Sequence, residues 1–508
     1  QSTSVDSNAE RFAQTVTFNR SESGMLSYVG RVNYSYDDKY LFEFMLRSDA
    51  SAKFAPQNYW GMFPSWSAGW VISDEKWFDK DKTKIDFLKI RGSFGILGKD
   101  NVNAWLWTQL YTRNPDKGPI FGTNSSTNTS ATIRMPKQGV NPDVHWDKTY
   151  KTNFGIDMAF LKNRMSANLD FYYDMGREMF ASHQGTSYYP NTVGIQPAPE
   201  NFGEVDTYGV ELSLGWKDKI GKDMSYWVKL TTGYNDNKIR ETGWKAAYDF
   251  DKLVRNERSD RGLWGYECIG MFRSYQEINE YFDKYSITKY LGNTKENVHP
   301  GMLIYKDVRG QYDESTGTFG PADGIVDEQD YIKISHRASN PYGGTLNFGF
   351  SYKDFSISAQ FGASWGAYSL VPTTMRKESY SEYSNVSAMW KDMFVYEDIY
   401  DANNIVTVAQ NRNAKYPNIR YSSVNGAPST FWKVSAATVQ LRNMTVAYAL
   451  PKEWLKIIGI SSCRFNLTCQ NVFNFLNPYP EGAWASWAGS YGYYPNLRKF
   501  TLGVNVSF

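Results

Sequence analysis

Residues 30–70 read GRVNYSYDDKYLFEFMLRSDASAKFAPQNYWGMFPSWSAGW. Val32, Tyr34 and Tyr36 point one way, and Arg31, Asn33 and Ser35 the other. Asp37-Asp38-Lys39 makes a tight polar turn. Tyr40, Phe42, Phe44 and Leu46 then share a face, with Leu41, Glu43, Met45 and Arg47 opposite. Alternation with period two through a short polar turn predicts an antiparallel hairpin. Ser65 to Ile72 returns as the next strand.

The same alternation recurs along the chain. It is cleanest at Tyr208–Lys217, where Tyr208, Val210, Leu212, Leu214 and Trp216 oppose Gly209, Glu211, Ser213, Gly215 and Lys217. It continues through Leu346–Phe361, Lys433–Tyr448 and Arg464–Phe473 to the terminal Phe508. Short connections are expected at 37–39, 73–84, 161–163, 218–223, 353–354 and 449–460. Long ones are expected near 48–64, 98–148, 177–204, 235–342, 366–431 and 474–497, in strict alternation with the short. Counting from Arg11 gives about fourteen strands, and this loop asymmetry is that of an outer-membrane barrel. A sandwich has no reason to keep every long loop at one end. Polar faces made of Gly, Ser, Asn and Thr suit a water-filled lumen better than a solvated soluble edge. Tyr and Trp near strand ends (Tyr34, Tyr36, Tyr40, Trp66, Trp70, Tyr172, Tyr173, Trp216, Tyr226, Trp227, Tyr352) are read as interfacial girdles.

Composition agrees. Aromatics make up 17% of 508 residues, yet no apolar run is long enough for a membrane helix, which needs about 18 residues or more. A membrane crossing must therefore use strands. The 55 basic and 53 acidic residues leave a net charge of +2, too little to point to nucleic acid. Three cysteines, Cys268, Cys463 and Cys469, form neither a zinc motif nor a disulfide framework. The last two read as small apolar strand residues. Gln1–Glu10 is polar and is no signal peptide, so the reading expects a mature piece or a longer polypeptide.

Residues 30–70 resemble the barrel of the SusC/RagA family of TonB-dependent outer-membrane transporters. Members carry a stretch of the form RxNYxYxxKYLxExxxRxDxSxKFxxxxxWGxFPSxSxGW. Asp49, Ser51, Lys53, Phe54, Trp60, Gly61, Phe63, Pro64, Ser65, Gly69 and Trp70 match it. The fold class this implies is all-β, an antiparallel transmembrane β-barrel. Residues 1–508 would be the C-terminal part of one barrel domain, about fourteen of twenty-two strands, with the plug outside this chain. The resemblance implies energy-coupled import of a bulky nutrient, with an oligosaccharide ahead of an oligopeptide as cargo. It also implies a SusD-like surface lipoprotein, TonB acting through an upstream region, and contact with outer-membrane lipid. The C-terminus would be periplasmic, and Phe508 resembles the terminal aromatic read by the barrel-insertion machinery. An adhesive surface protein on the same barrel, and a soluble glycan-binding β protein, are the competing classes.

No catalytic constellation is present. The four histidines lack ligand spacing, and neither a G-x-S-x-G elbow nor a Walker loop occurs. An enzyme is not expected, and no cofactor beyond one cation. Asp307, Asp323, Asp327 and Asp330 resemble a calcium loop, interrupted by Arg309 and by residues 311–321. They are read as a candidate structural Ca2+ or Mg2+ site, with a solvated acidic turn as the alternative. Trp105, Trp107, Tyr188, Tyr189, Trp484 and Trp487 lie in long loops, where flat rings beside amides suit sugar stacking or peptide contact.

Overall fold

The computed structural model describes residues 3–4, 15–16, 23–114, 132–134, 139–181, 197–242, 255–313, 315–377, 387–457, 459–476, 479 and 497–508. Thirteen strands dominate it: β1 Met25–Tyr36, β2 Tyr40–Ser51, β3 Trp60–Val71, β4 Ile85–Lys99, β5 Asp147–Phe160, β6 Met165–Ala181 and β7 Glu200–Ile220. They continue as β8 Met224–Glu241, β9 Tyr342–Tyr352, β10 Phe355–Trp365, β11 Thr438–Ala449, β12 Ser462–Asn474 and β13 Lys499–Ser507. All pair antiparallel with their sequence neighbours in one sheet, which among the described residues leaves one open edge on β1 and one on β13.

The described residues hold thirteen strands of this sheet, where about fourteen are expected. Within Arg11–Phe18, Thr15–Val16 pairs with Thr3–Ser4 in a separate ladder, not with β1. The expected strand Lys433–Tyr448 also divides. Lys433–Ser435 pairs with Tyr368–Leu370, and β11 begins at Thr438. The alternation of loop lengths holds except at one place. Pairing of β2 with β3 continues to Ala50 and Trp60, so residues 52–59 form a shorter connection than 72–84.

Register carries one chemistry across all thirteen strands. Val32 faces Phe44, which faces Trp66, which faces Phe94. Phe171 faces Phe154 and Val210, and Leu230 faces Leu214 and Leu346. These side chains share the outer face, and many are open: Val32 is 61% exposed and Leu502 73%. No second sheet covers them among the described residues. A continuous exposed apolar face of this extent is stable in hydrocarbon, not in water.

Two aromatic rows bound that face. One holds Tyr40 stacked with Trp70, Trp216 donating to the Tyr226 hydroxyl at 3.1 Å, and Tyr352. The other holds Tyr28 on Trp60, Tyr173 on Tyr208, and Tyr342 on Trp365. Along a strand the rows lie eight to ten residues apart, as in Tyr208 to Trp216 and Tyr342 to Tyr352. At about 3.3 Å per residue and a tilt near 40°, that is roughly 20–25 Å, the height of a barrel's apolar band. Two expected girdle members are corrected. Tyr172 pairs with Asn153 and Gly209, and Trp227 with Lys217 and Gly349, so both belong to the inner face.

At the long-loop end, the described residues of 255–341 and 366–437 build a compact layer. A helix, Tyr275–Tyr285, starts at Ser274, whose side chain accepts from Glu277 N, and it buries Ile278, Tyr281 and Phe282. These join Phe272, Tyr290, Leu303, Tyr305, Val326 and Phe394 in an aromatic core. Asn425 ties the two loops together. It accepts from Leu303 N at 2.8 Å and donates to Gly301 O and Asn418 O, while Trp432 donates to its carbonyl. Arg337 moors the layer to β8 through Asp236 at 2.7 Å.

Candidate functional site: the polar inner wall

Alternation that sends apolar side chains outward sends the others inward. On β1–β7 several of the inner side chains are charged and paired. Arg91 is the hub. Its guanidinium reaches Asp157 at 3.1 Å, Asp170 at 2.7 Å and the Asn153 amide oxygen at 3.2 Å, and Asn168 donates to Asp157 at 2.8 Å. Gly155, directly opposite Arg91, makes the space, since a Cβ there would overlap the guanidinium. Arg31 pairs with Glu43, and Lys151 with Asp174. Two adjoining concavities of about 570 and 540 Å³ lie on this wall and share Glu43, Ser67, Ser93 and Asn153. A polar recess of this kind binds by hydrogen bonds and charge, having no deep apolar slot.

No motif in the sequence singles out Arg91. Glu43 has a partner, and Glu211 lines the first concavity beside Tyr172. The signal for Arg91 was in the pattern. Asp157 and Asp170 fall on the inward parity of β5 and β6, and two carboxylates on neighbouring strands need a cation between them.

Trp105 and Trp107 come together, with ring centroids 5.8 Å apart. Trp105 is 54% exposed and holds a left-handed backbone at φ +69. Between them, Leu106 packs against the cluster of Phe54, Phe63 and Trp146. Tyr188, Tyr189, Trp484 and Trp487 lie outside the described residues.

The four aspartates share one turn. Asp330 is fully buried, accepts from Val308 N and Arg309 N through one oxygen, and accepts from Asp327 N through the other. Asp307 accepts from Gly324 N at 2.7 Å, Asp323 from Ile325 N and Asp327 from Gln329 N. Burial pushes the carboxyls of Asp307 and Asp330 above the ordinary range. Arg309 lies over the Phe319 ring and donates to Gln329 O. Backbone amides thus take up most of the carboxylate oxygens. Among the described residues no group of three or more His, Cys, Asp or Glu is placed to hold a metal. Phe508 continues the outer side of β13 after Phe500, Leu502, Val504 and Val506, and is 94% exposed.

No protein-family model matches the chain. Among curated proteins it is 26% identical over 503 residues to the TonB-dependent receptor SusC of Bacteroides thetaiotaomicron, covering 95% of this chain and 44% of that protein. It is 24% identical over 518 residues to a TonB-dependent receptor of Formosa agariphila, covering 95% of this chain and 46% of the relative. The chain therefore spans about half the length of the curated relatives it matches. Among solved structures, the RagAB peptide transporter superposes with a TM-score of 0.67 at 19% identity, over 95% of this chain and 48% of that one. The same complex in its open-open state gives 0.66 at 18% identity, over 95% and 47%. The fold is thus that of a TonB-dependent transporter barrel, and the resemblance to SusC and RagA extends over nearly the whole chain. The relatives are receptors and transporters, not enzymes.

Proposed function

We propose that this chain forms much of the wall of an outer-membrane barrel that imports a bulky nutrient with energy supplied through TonB. The observation that carries the reading is the inverted sheet, apolar and exposed outside, polar and recessed inside. The open edges of β1 and β13 hold unpaired backbone groups, each costing several kcal/mol in lipid. Further strands of a longer protein close the wall, and a plug fills it. A SusD-like lipoprotein covers the long-loop end. The short turns, and with them the C-terminus, face the periplasm.

An oligosaccharide is the cargo this reading favours, since amides and hydroxyls line much of the inner wall. An oligopeptide is the second reading, favoured by the structural likeness to a peptide transporter. A strain lacking the gene, grown on defined glycans or peptides as sole carbon source, separates the two. Loss of growth on a glycan alone supports the first, and loss on peptides alone supports the second. Uptake that persists without the energy-coupling protein contradicts TonB-driven import and favours an anchor or adhesin. A structural Ca2+ or Mg2+ at Asp307, Asp323, Asp327 and Asp330 is part of the proposal. A lanthanide soak that leaves no density on that turn removes it.

A further inference from the structure

Strands β8–β13 present a different inner wall from β1–β7. Reading the register straight across gives continuous rows. Lys229 faces Asn347, which faces Gln360, then Asn443, Gln470 and Lys499. Four amide side chains thus stand side by side, bracketed by two lysines, and Asn443 donates to Gln360 at 2.9 Å. The next row toward the short turns runs Trp227, Gly349, Ser358, Thr445, Thr468, Thr501. The Trp227 indole lies over Gly349, where a Cβ would overlap it, and is 44% exposed. Arg442 lies over Gly362 in the same way, and Arg464 donates to Ser356 at 2.8 Å.

Charge in these two rows has one sign. Strands β9 to β13 contain no Asp or Glu at all, and neither row includes one. In β8 the two acids, Asp236 and Glu241, lie near the long-loop end, beyond the lysine row. On β1–β7, by contrast, cations meet carboxylates. Rows with cations and no acids, backed by low-dielectric lipid, concentrate anions. Amides and hydroxyls in rows match a polyhydroxylated chain, each offering both donor and acceptor. An exposed indole face suits the C–H face of a sugar ring.

We infer that the inner wall of β8–β13 is a track for acidic oligosaccharides, bearing carboxylate or sulfate groups. Lys229 and Lys499 engage the charges, the amide row the hydroxyls, and Trp227 a ring face. This rests on the reading of the protein as an oligosaccharide importer and narrows its cargo.

The test uses cells carrying the full-length protein. Uptake of labelled oligogalacturonate, a chondroitin sulfate tetrasaccharide, maltoheptaose and a neutral hexapeptide is measured beside barrel abundance by heat-modifiable mobility. At least one acidic probe enters faster than maltoheptaose. The pair Lys229→Glu and Lys499→Glu lowers that uptake about tenfold at unchanged abundance, as loss of focusing predicts. The pair Lys229→Arg and Lys499→Arg restores it, which a merely structural role would not require. No uptake of either acidic probe, or acidic uptake indifferent to charge reversal, overturns the inference. Maltoheptaose uptake alone leaves the importer reading standing without it. Hexapeptide uptake alone removes the oligosaccharide reading itself.

Discussion

Leu502 and Leu303 are the same side chain in opposite settings. Leu502 stands 73% exposed on the outer face of β13, while Leu303 is 0% exposed among aromatics of the loop layer. In the sheet the apolar residues are outside, and ion pairs such as Arg91 with Asp157 are inside. In the layer the apolar residues are inside, as in any water-soluble domain. One chain therefore obeys two burial rules because its parts meet two solvents. The boundary falls at the aromatic row of Tyr234, Tyr342 and Trp365, where Arg337 ties layer to strand.

Breaking the layer carries the largest expected effect. Trp432 is 1% exposed and donates to the Asn425 carbonyl at 2.6 Å. Trp432→Ala should cost the layer about 3–5 kcal/mol through cavity and lost hydrogen bond. Limited proteolysis in detergent should then cut within 255–341 or 366–437 while the sheet keeps its heat-modifiable mobility. Simultaneous loss of both would mean that layer and sheet fold as one unit.

On the sheet the penalty has a different origin. Leu212→Lys, mid-strand on the outer face of β7, should cost about 2–4 kcal/mol by placing a cation in hydrocarbon. The same change at Ser213, its inward neighbour, should cost little. Urea titration of the refolded full-length barrel in lipid vesicles measures both. Equal penalties would remove the distinction between faces.

The smallest effect belongs to the inner wall. Arg91 is about one-third exposed, so Arg91→Ala should cost only about 1 kcal/mol despite two carboxylate partners. Gly155→Leu, which pushes into the same guanidinium, should cost at least as much, whereas Arg91→Lys should cost less. A midpoint shift for Arg91→Ala as large as that of Leu212→Lys would show the inner wall to be dry.

These differences also explain what the sequence disclosed. In Tyr208–Lys217 each residue's parity names the medium it meets, and strand pairing multiplies that signal thirteen times. The layer has no such period. Its core gathers Phe272, Tyr290, Tyr305 and Phe394 from segments more than a hundred residues apart, held by strands of two to four residues. One local signal was present. Ser274 and Glu277 with Ile278, Tyr281 and Phe282 at helical spacing mark the longest helix among the described residues. Within the wall, parity alone was enough to place Trp227 inside. Grouping it with strand-end aromatics put it in the girdle, because position along a strand says nothing of which face a ring takes. The Arg91 hub needs register between β4, β5 and β6, which no single strand reveals.

The central claim is that the outer face of the sheet meets lipid. A nitroxide scan along β7 in the full-length protein in vesicles tests it most directly. Labels at Val210, Leu212 and Leu214 should collide with lipid-soluble oxygen, and labels at Glu211, Ser213 and Gly215 with a water-soluble nickel chelate. Labels at the first three positions shielded from both reagents would place those side chains against protein and contradict the account.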